Sequence, residues 1–205
     1  PFLAVRGELE RRRDAGLHGG IQFTYRNPER STTPERILPG ARSLIVGALR
    51  TDAPRLARVR PAQLRVAAYA RRDYYTILRK ALGLVSDKLQ DDGWKARVVA
   101  DDNALVDRAA AVRAGIGWFG KNGNVLLPGR GRWVVLGSVI TDAPLAIDEP
   151  IDEGCGACRR CLDGCPTGAI VAPGVVDARR CLAWLVQAPG GIPAEFREPM
   201  GGRLY

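Results

Sequence analysis

Apolar positions recur along this chain with two periods, one helical and one extended, and both fade near the C-terminal end where cysteines gather. Over residues 3–13, Leu3, Val5 and Leu9 share one side of an expected helix, and Arg11, Arg12 and Arg13 occupy its last turn, where the helix dipole favours cations. Gly16, Gly19 and Gly20 break that pattern. Residues 27–40, rich in Pro, Ser, Thr and Arg, read as an ordered loop leading into residues 43–49, an apolar run of strand length expected to be buried.

A long helical pattern is expected over residues 62–90, where Leu64, Ala67, Ala68, Ile77, Leu78, Leu82, Val85 and Leu89 recur at three- and four-residue intervals. Residues 94–100 read as a strand that ends at Asp101 and Asp102. A short helix over 105–114 comes next, then a glycine-rich turn. Residues 125–127 and 133–140 then read as two strands that pair with each other. Between 142 and 153 the composition shifts to Pro and acid and marks a linker. The fold class is therefore α+β, with a larger unit over 1–147 and a smaller one over 148–205.

Composition adds limits. With 46% apolar residues in 205, the chain can bury one good core and a smaller second one. No segment approaches the roughly 20 uninterrupted apolar residues of a membrane helix, and the start lacks a signal-peptide pattern, so a cytoplasmic, membrane-free protein is expected. A monomer is expected as well. The chain opens at Pro1 without an initiator Met and reads as continuing past Tyr205, so a fragment truncated at both ends is expected. The formal charge of +9 suits a polyanionic partner, and equally suits an Arg-rich soluble surface.

The sharpest chemical signal is Cys155-Gly-Ala-Cys158-Arg-Arg-Cys161-Leu-Asp-Gly-Cys165-Pro166, which matches the C-x2-C-x2-C-x3-C-P run of bacterial ferredoxins. Thiolates two residues apart on a tight loop wrap three corners of a 4Fe–4S cubane, and the fourth cysteine reaches a neighbouring cluster. A disulfide framework lacks the secretory context, and structural zinc usually takes two separated pairs of ligands. Cys181 follows Cys165 by sixteen residues and is its natural partner at a second cluster. Two cubanes need eight thiolates and the chain has five cysteines, so the missing ligands are expected beyond Tyr205.

Gly115-Ile-Gly117-Trp-Phe-Gly120 fits the dinucleotide fingerprint G-x-G-x-x-G letter for letter. That fingerprint must follow a strand and open a helix, whereas here a helix precedes and an extended segment follows. The glycines instead permit close approach of backbone to a flat ligand, or a sharp chain reversal. Trp118 and Lys121 would add apolar contact and charge.

Taken together, several stretches resemble the epoxyqueuosine reductase family in order and spacing. They are His18-Gly19-Gly20, Leu38-Pro39-Gly40-Ala-Arg-Ser43, Tyr69-Ala-Arg-Arg-Asp73-Tyr74, Val99-Ala100-Asp101 through Asp107-Arg108, Arg113 through Lys121, and the cysteine run. The resemblance covers essentially the whole chain. It implies a corrinoid-binding catalytic domain of the nitroreductase and reductive-dehalogenase type, followed by an incomplete ferredoxin-like domain with two 4Fe–4S clusters. It further implies cobalamin contacts from Tyr69, Trp118, Gly120, Lys121 and Asn122, and metal ligation by Cys155, Cys158, Cys161, Cys165 and Cys181.

The implied chemistry is reduction of epoxyqueuosine to queuosine in the anticodon stem-loop of tRNA, with electrons entering from an external donor. Asp101 matches the family's proton donor, a role that requires burial beside an apolar cofactor to raise its pKa. The competing reading places Asp101 in the N-cap region of the following helix, a cap that Asp102 or Asn103 can fill equally well. The family pattern is not kept at Asn103-Ala104, Asp107, Asn122 and Ser31, which touch the substrate side. A corrinoid reductase of small molecules and a plain electron-transfer module are the competing readings. His18, in a glycine-flanked loop, reads as structural and not as a cobalt ligand. Arg179, Arg180 and Arg197 are candidate phosphate contacts, and each reads equally well as solvated charge.

Overall fold

The computed structural model describes residues 1–51 and 64–203. Helix α1 (Leu3–Asp14) forms as its pattern predicts, with its three arginines in the last turn. Its inward face is Phe2, Val5 and Leu9, while Leu3 is exposed. The expected loop over 27–40 holds more structure than its composition suggests. Helix α2 (Phe23–Arg26) leads into α3 (Pro28–Ser31), where the Asn27 side chain accepts the Arg30 N–H at 3.0 Å and Pro28 stands in the first turn. A 3-10 turn follows over Pro34–Arg36.

Three antiparallel strands make the main sheet in the order β1 (Ser43–Arg50), β5 (Val134–Thr141), β2 (Ala96–Val99). Strand β5 is central because it is apolar on both faces: Val139 and Ile140 point opposite ways and are both fully buried. Helix α4 (Tyr74–Asp91) covers one face through Tyr74, Leu78 and Leu82. The other face is covered by α5 (Asp107–Arg113) and α1, with Phe2, Leu105, Ala109 and Ile140 in one cluster. The architecture is a helix–sheet–helix sandwich.

Two expectations are corrected. The long helix over 62–90 begins only at Tyr74; residues 62 and 63 lie outside the described residues. Asp73 sets that start: its carboxylate accepts the Thr76 N–H at 2.9 Å and the Thr76 hydroxyl at 2.6 Å. Before it, Leu64 is exposed and Ala68–Ala70 form a 3-10 turn, so the earlier apolar spacing is not a helix face. The second correction concerns strand pairing. Strand β4 (Val125–Leu126) pairs with β3 (Trp118–Phe119), and β5 pairs with β1 and β2. A single bridge, Leu127 to Gly131, joins β4 to the approach of β5. Gly129 and Gly131, both at positive φ, turn the chain there and release β5 to the sheet.

No helix or strand forms over 142–153, the expected linker. The cysteine-rich part then carries α6 (Arg160–Asp163), the hairpin β6 (Ile170–Ala172) and β7 (Val175–Val176), α7 (Leu182–Leu185) and α8 (Ala194–Met200). It is fastened to the start of the chain. The Ala178 N–H donates to Leu17 O at 2.8 Å, and the Trp184 indole donates to Gly19 O at 2.8 Å. Gly19 is required there, since a Cβ would lie 3.0 Å from the Arg179 nitrogen and its φ is +57.

Gly47 and Gly137 face each other across β1 and β5, and their missing side chains leave the hollow that α4 fills. A Cβ on Gly137 would meet Ala100 Cβ at 2.7 Å and Leu82 Cδ1 at 2.9 Å. Gly137→Val is therefore expected to destabilise the protein by about 1–3 kcal/mol through overpacking. Leu82→Ala, which empties the same hollow, is expected to cost about 2–5 kcal/mol. Urea denaturation of both variants checks this, and a neutral Gly137→Val contradicts the packing described.

Candidate functional site

The cysteine loop turns tightly at its start, with the Cys158 N–H donating to Cys155 O at 2.9 Å and Gly156 at φ +47 between them. Cys155, Cys158 and Cys161 open on one cavity of about 210 Å³, which Lys121, Asn122, Leu126, Arg132 and Arg160 also line. Among the described residues no three Cys, His, Asp or Glu side chains converge to hold a single metal ion. Cys155, Cys158 and Cys161 thus line one cavity, as ligands to separate irons of a cluster would. The cations Lys121, Arg132 and Arg160 around it suit an anionic, thiolate-rich occupant.

Cys165 and Cys181 do not line that cavity, and both are half-buried. Burial pushes the Cys165 thiol up, but N–H groups of Ala169, Thr167 and Ile170 outweigh it and hold the thiol below its ordinary range. The Ala169 N–H reaches its Sγ at 3.2 Å. Such donors are what a metal-bound thiolate needs to keep its charge. Cys181 stands at the N-terminal edge of α7, where its carbonyl accepts the Trp184 and Leu185 N–H groups at 2.9 Å.

The glycine run serves a chain reversal. Gly115, at φ +67, follows the end of α5, and a Cβ on it would lie 2.5 Å from Glu149 O. A Cβ on Gly117 would lie 2.1 Å from Leu126 O, against the facing strand β4. Gly120 closes the hairpin by donating to Asn124 O at 2.8 Å. The hairpin aims Lys121 at the cysteine loop, where its Nζ donates to Gly156 O at 2.7 Å and Cys158 O at 3.0 Å. Asn122 accepts the Asn124 N–H at 3.0 Å. Lys121 and Asn122 therefore border the cysteine cavity, while Trp118 and Gly120 belong to the hairpin itself. The Trp118 indole nitrogen is buried without an acceptor among the described residues. Tyr69 stands exposed on the 3-10 turn Ala68–Ala70.

Asp101 lies just past β2 and is the one non-glycine residue at positive φ, +54, among those described. That conformation costs an L-residue energy and is tolerated best by Asn and Asp. Arg79 anchors the strand end, its guanidinium donating to Ala100 O at 2.9 Å. Asp101 is exposed, so any burial it needs must come from what binds over it. It does not cap α5: that helix begins at Asp107, its N-cap is Val106 without a side-chain bond, and Asp102 accepts the Ala104 N–H at 2.8 Å.

Two ionisable neighbours escaped the sequence reading. Burial, then the negative charge of Asp101 and lastly that of Asp102, opposed by Arg108, push the half-buried Asp107 carboxyl up to about 7. Tyr75 is pushed up to about 12 by burial first and then by Asp101 and Asp107. The Arg79 guanidinium lies 5.7 Å over its ring. Arg108 joins this acidic loop to the hairpin by donating to Gly123 O at 2.8 Å. In sequence Asp107 is merely an acid in a first helical turn, and no local pattern marks its neighbours.

Of the other residues singled out, His18 packs its ring 5.6 Å from Tyr25, with Nδ1 buried and unpartnered among the described residues. Arg179 is committed to Asp177, at 2.7 and 2.9 Å, and lowers that carboxyl. Arg197 donates to Ile192 O at 2.9 Å. Ser31 and Asn103 meet: the Ser31 hydroxyl donates to Asn103 O, and Arg30 donates to the Asn103 side chain at 2.8 Å.

Comparison with known proteins connects these features. The profile described as "Epoxyqueuosine reductase QueG, DUF1730" matches residues 31–102, and that of a 4Fe-4S double cluster binding domain matches residues 154–205. The epoxyqueuosine reductase of Bacillus subtilis is 40% identical over 184 residues, covering 86% of this chain and 48% of that protein. A crystal structure of an epoxyqueuosine reductase with an epoxyqueuosine-modified tRNA-Tyr stem loop aligns with a TM-score of 0.84 at 36% identity, covering 98% of this chain and 55% of the other. A Bacillus subtilis epoxyqueuosine reductase structure with its catalytic aspartate loop swung out of the active site aligns with a TM-score of 0.82 at 35% identity, over 98% and 55%. The chain thus spans about half the length of the relatives it matches.

The Asp107 shift has a definite sign. Folded, the group keeps its proton up to about 7, whereas unfolded it ionises near 3.8. Its contribution to stability is therefore present at low pH and is lost as pH rises from about 4 to about 7. Denaturation of wild type and Asp107→Asn across that range should give a stability difference that moves steadily in favour of the variant; a pH-independent difference contradicts the shift.

Proposed function

We propose that this chain, a member of the epoxyqueuosine reductase family, carries the core of that family's reaction: reduction of epoxyqueuosine to queuosine in tRNA. Two electrons and two protons convert the epoxide to an alkene and release its oxygen as water. The observation that carries this reading is the Lys121 bridge, which holds the three-thiol cavity against the hairpin of the sheet-bearing part. An electron centre is thereby fixed to the part that bears Asp101.

In this reading Cys155, Cys158 and Cys161 hold one 4Fe–4S cluster, and Cys165 and Cys181 contribute to a second. These five cysteines are part of the eight thiolates that two cubanes require. Residues 1–147 form the corrinoid-binding unit and 148–205 the ferredoxin-like one. Cobalamin, when bound, would supply a low-valent cobalt able to attack or reduce the epoxide carbon. Trp118, Gly120, Lys121, Asn122 and Tyr69 are its proposed contacts.

Asp101 then gives a proton to the departing oxygen. Cover by cofactor and substrate would exclude water and favour its neutral form. Asp107, whose carboxyl is pushed up to about 7, stands within electrostatic reach as a second carboxyl, at the start of α5. An external donor supplies the electrons. No helix among the described residues is long and apolar enough to cross a membrane.

The test is anaerobic turnover of an epoxyqueuosine-containing stem-loop RNA by the intact protein, with iron and cobalt measured beside it. Asp101→Asn should lower the rate by about 10²–10⁴-fold with metal content unchanged. Wild-type turnover in Asp101→Asn would remove it as the proton donor. A wild-type protein that holds both metals yet leaves the epoxide intact would remove the proposed substrate.

A further inference from the structure

A second cavity, of about 280 Å³, shares no residue with the cysteine cavity; it is lined by Phe23, Arg26, Asn27, Arg30, Ser31 and Asn103. Its chemistry is one-sided. No carboxylate lines it, and among the described residues neither Arg26 nor Arg30 has an ion-pair partner. The side-chain oxygen of Asn27 is taken by the Arg30 N–H at 3.0 Å, and that of Asn103 by the Arg30 guanidinium at 2.8 Å. With their oxygens so taken, both amides have NH2 groups as their remaining hydrogen-bonding ends, which can only donate. The Ser31 hydroxyl donates to the carbonyls of Asn103 and Asn27, which fixes the floor. Phe23, 46% exposed, also lines it and leaves its ring open to a flat partner.

Two guanidinium groups and two amide NH2 groups around a space without acids suit a phosphate, and an exposed ring beside them suits a base. Asn103 lies two residues after Asp101, so whatever sits here adjoins the proposed reaction site. We propose that this cavity seats one phosphodiester of the RNA substrate, gripped by Arg26 and Arg30, with the adjoining base stacked on Phe23. The nucleotide held here neighbours the one presented to Asp101. This rests on the reading of the substrate as RNA, and deepens it by assigning a subsite.

The test is binding of an anticodon stem-loop RNA to the intact, cofactor-loaded protein by fluorescence anisotropy over a salt series. Arg26→Gln/Arg30→Gln should bind about tenfold more weakly at low salt, with the slope of log K against log salt reduced by about one. Phe23→Leu should also bind about tenfold more weakly, but with the wild-type slope, because stacking releases no counterions. Lys88→Gln, on the exposed side of α4, removes a cation elsewhere and should leave both quantities unchanged. Iron content confirms that each variant is intact. A double arginine variant with wild-type affinity and slope overturns the subsite, as does a Lys88→Gln variant that loses as much. If wild type itself fails to bind the RNA, the substrate reading falls and the subsite with it.

Discussion

One ammonium group holds the candidate site together. Lys121 Nζ donates to two carbonyls of the cysteine loop, Gly156 O and Cys158 O, and so joins the hairpin β3–β4 to the loop that carries three thiols. The bond works because the hairpin is rigid. Gly117 lets β3 lie against β4 where any side chain would collide, and Gly120 closes the turn that aims the lysine. The reversal that defeats a dinucleotide reading of the glycine run is the device that positions the cation. Arg108 extends the linkage by tying the same turn, at Gly123 O, to the helix that begins with Asp107.

The acid side of the site is built on opposite principles. Asp101 sits exposed in a left-handed conformation that only local constraint sustains, held by the buried Val99 and Ala100 before it and the Arg79 bond to Ala100 O. Its charge acts on its surroundings: it raises both Asp107 and Tyr75 in addition to their burial. A carboxyl pushed up to about 7 thus stands beside this loop, at Asp107 in the first turn of α5. A strained, exposed acid is well suited to completing its site only when substrate covers it.

Much of this was legible in residue order alone, because period and spacing are local properties. Helix α1, strands β1 and β2 and the ferredoxin-type cysteine run all follow from patterns a few residues long. What could not be read depends on distant partners. The start of α4 is decided by the Asp73 cap, not by the apolar spacing at Leu64, Ala67 and Ala68 that mimics a helix face. The pairing of β5 is decided by two faces that need cover, so it takes the centre of the sheet instead of folding back on β4. Lys121 also has partners on a loop 35 residues away, which nothing near it in sequence reveals. Asp107 acquires its role through burial and through Asp101, neither of which has a sequence signature.

The central claim is that thiolates on a loop lashed to the sheet-bearing part hold cubane iron centres close to a cobalt cofactor. Paramagnetic resonance of the intact protein, purified without air and reduced with dithionite, addresses it most directly. The account predicts the signal of reduced 4Fe–4S clusters together with cobalt-centred resonance in the same preparation, and loss of cluster signal in Cys158→Ser. A preparation without iron, or one whose iron survives that substitution unchanged, would contradict it.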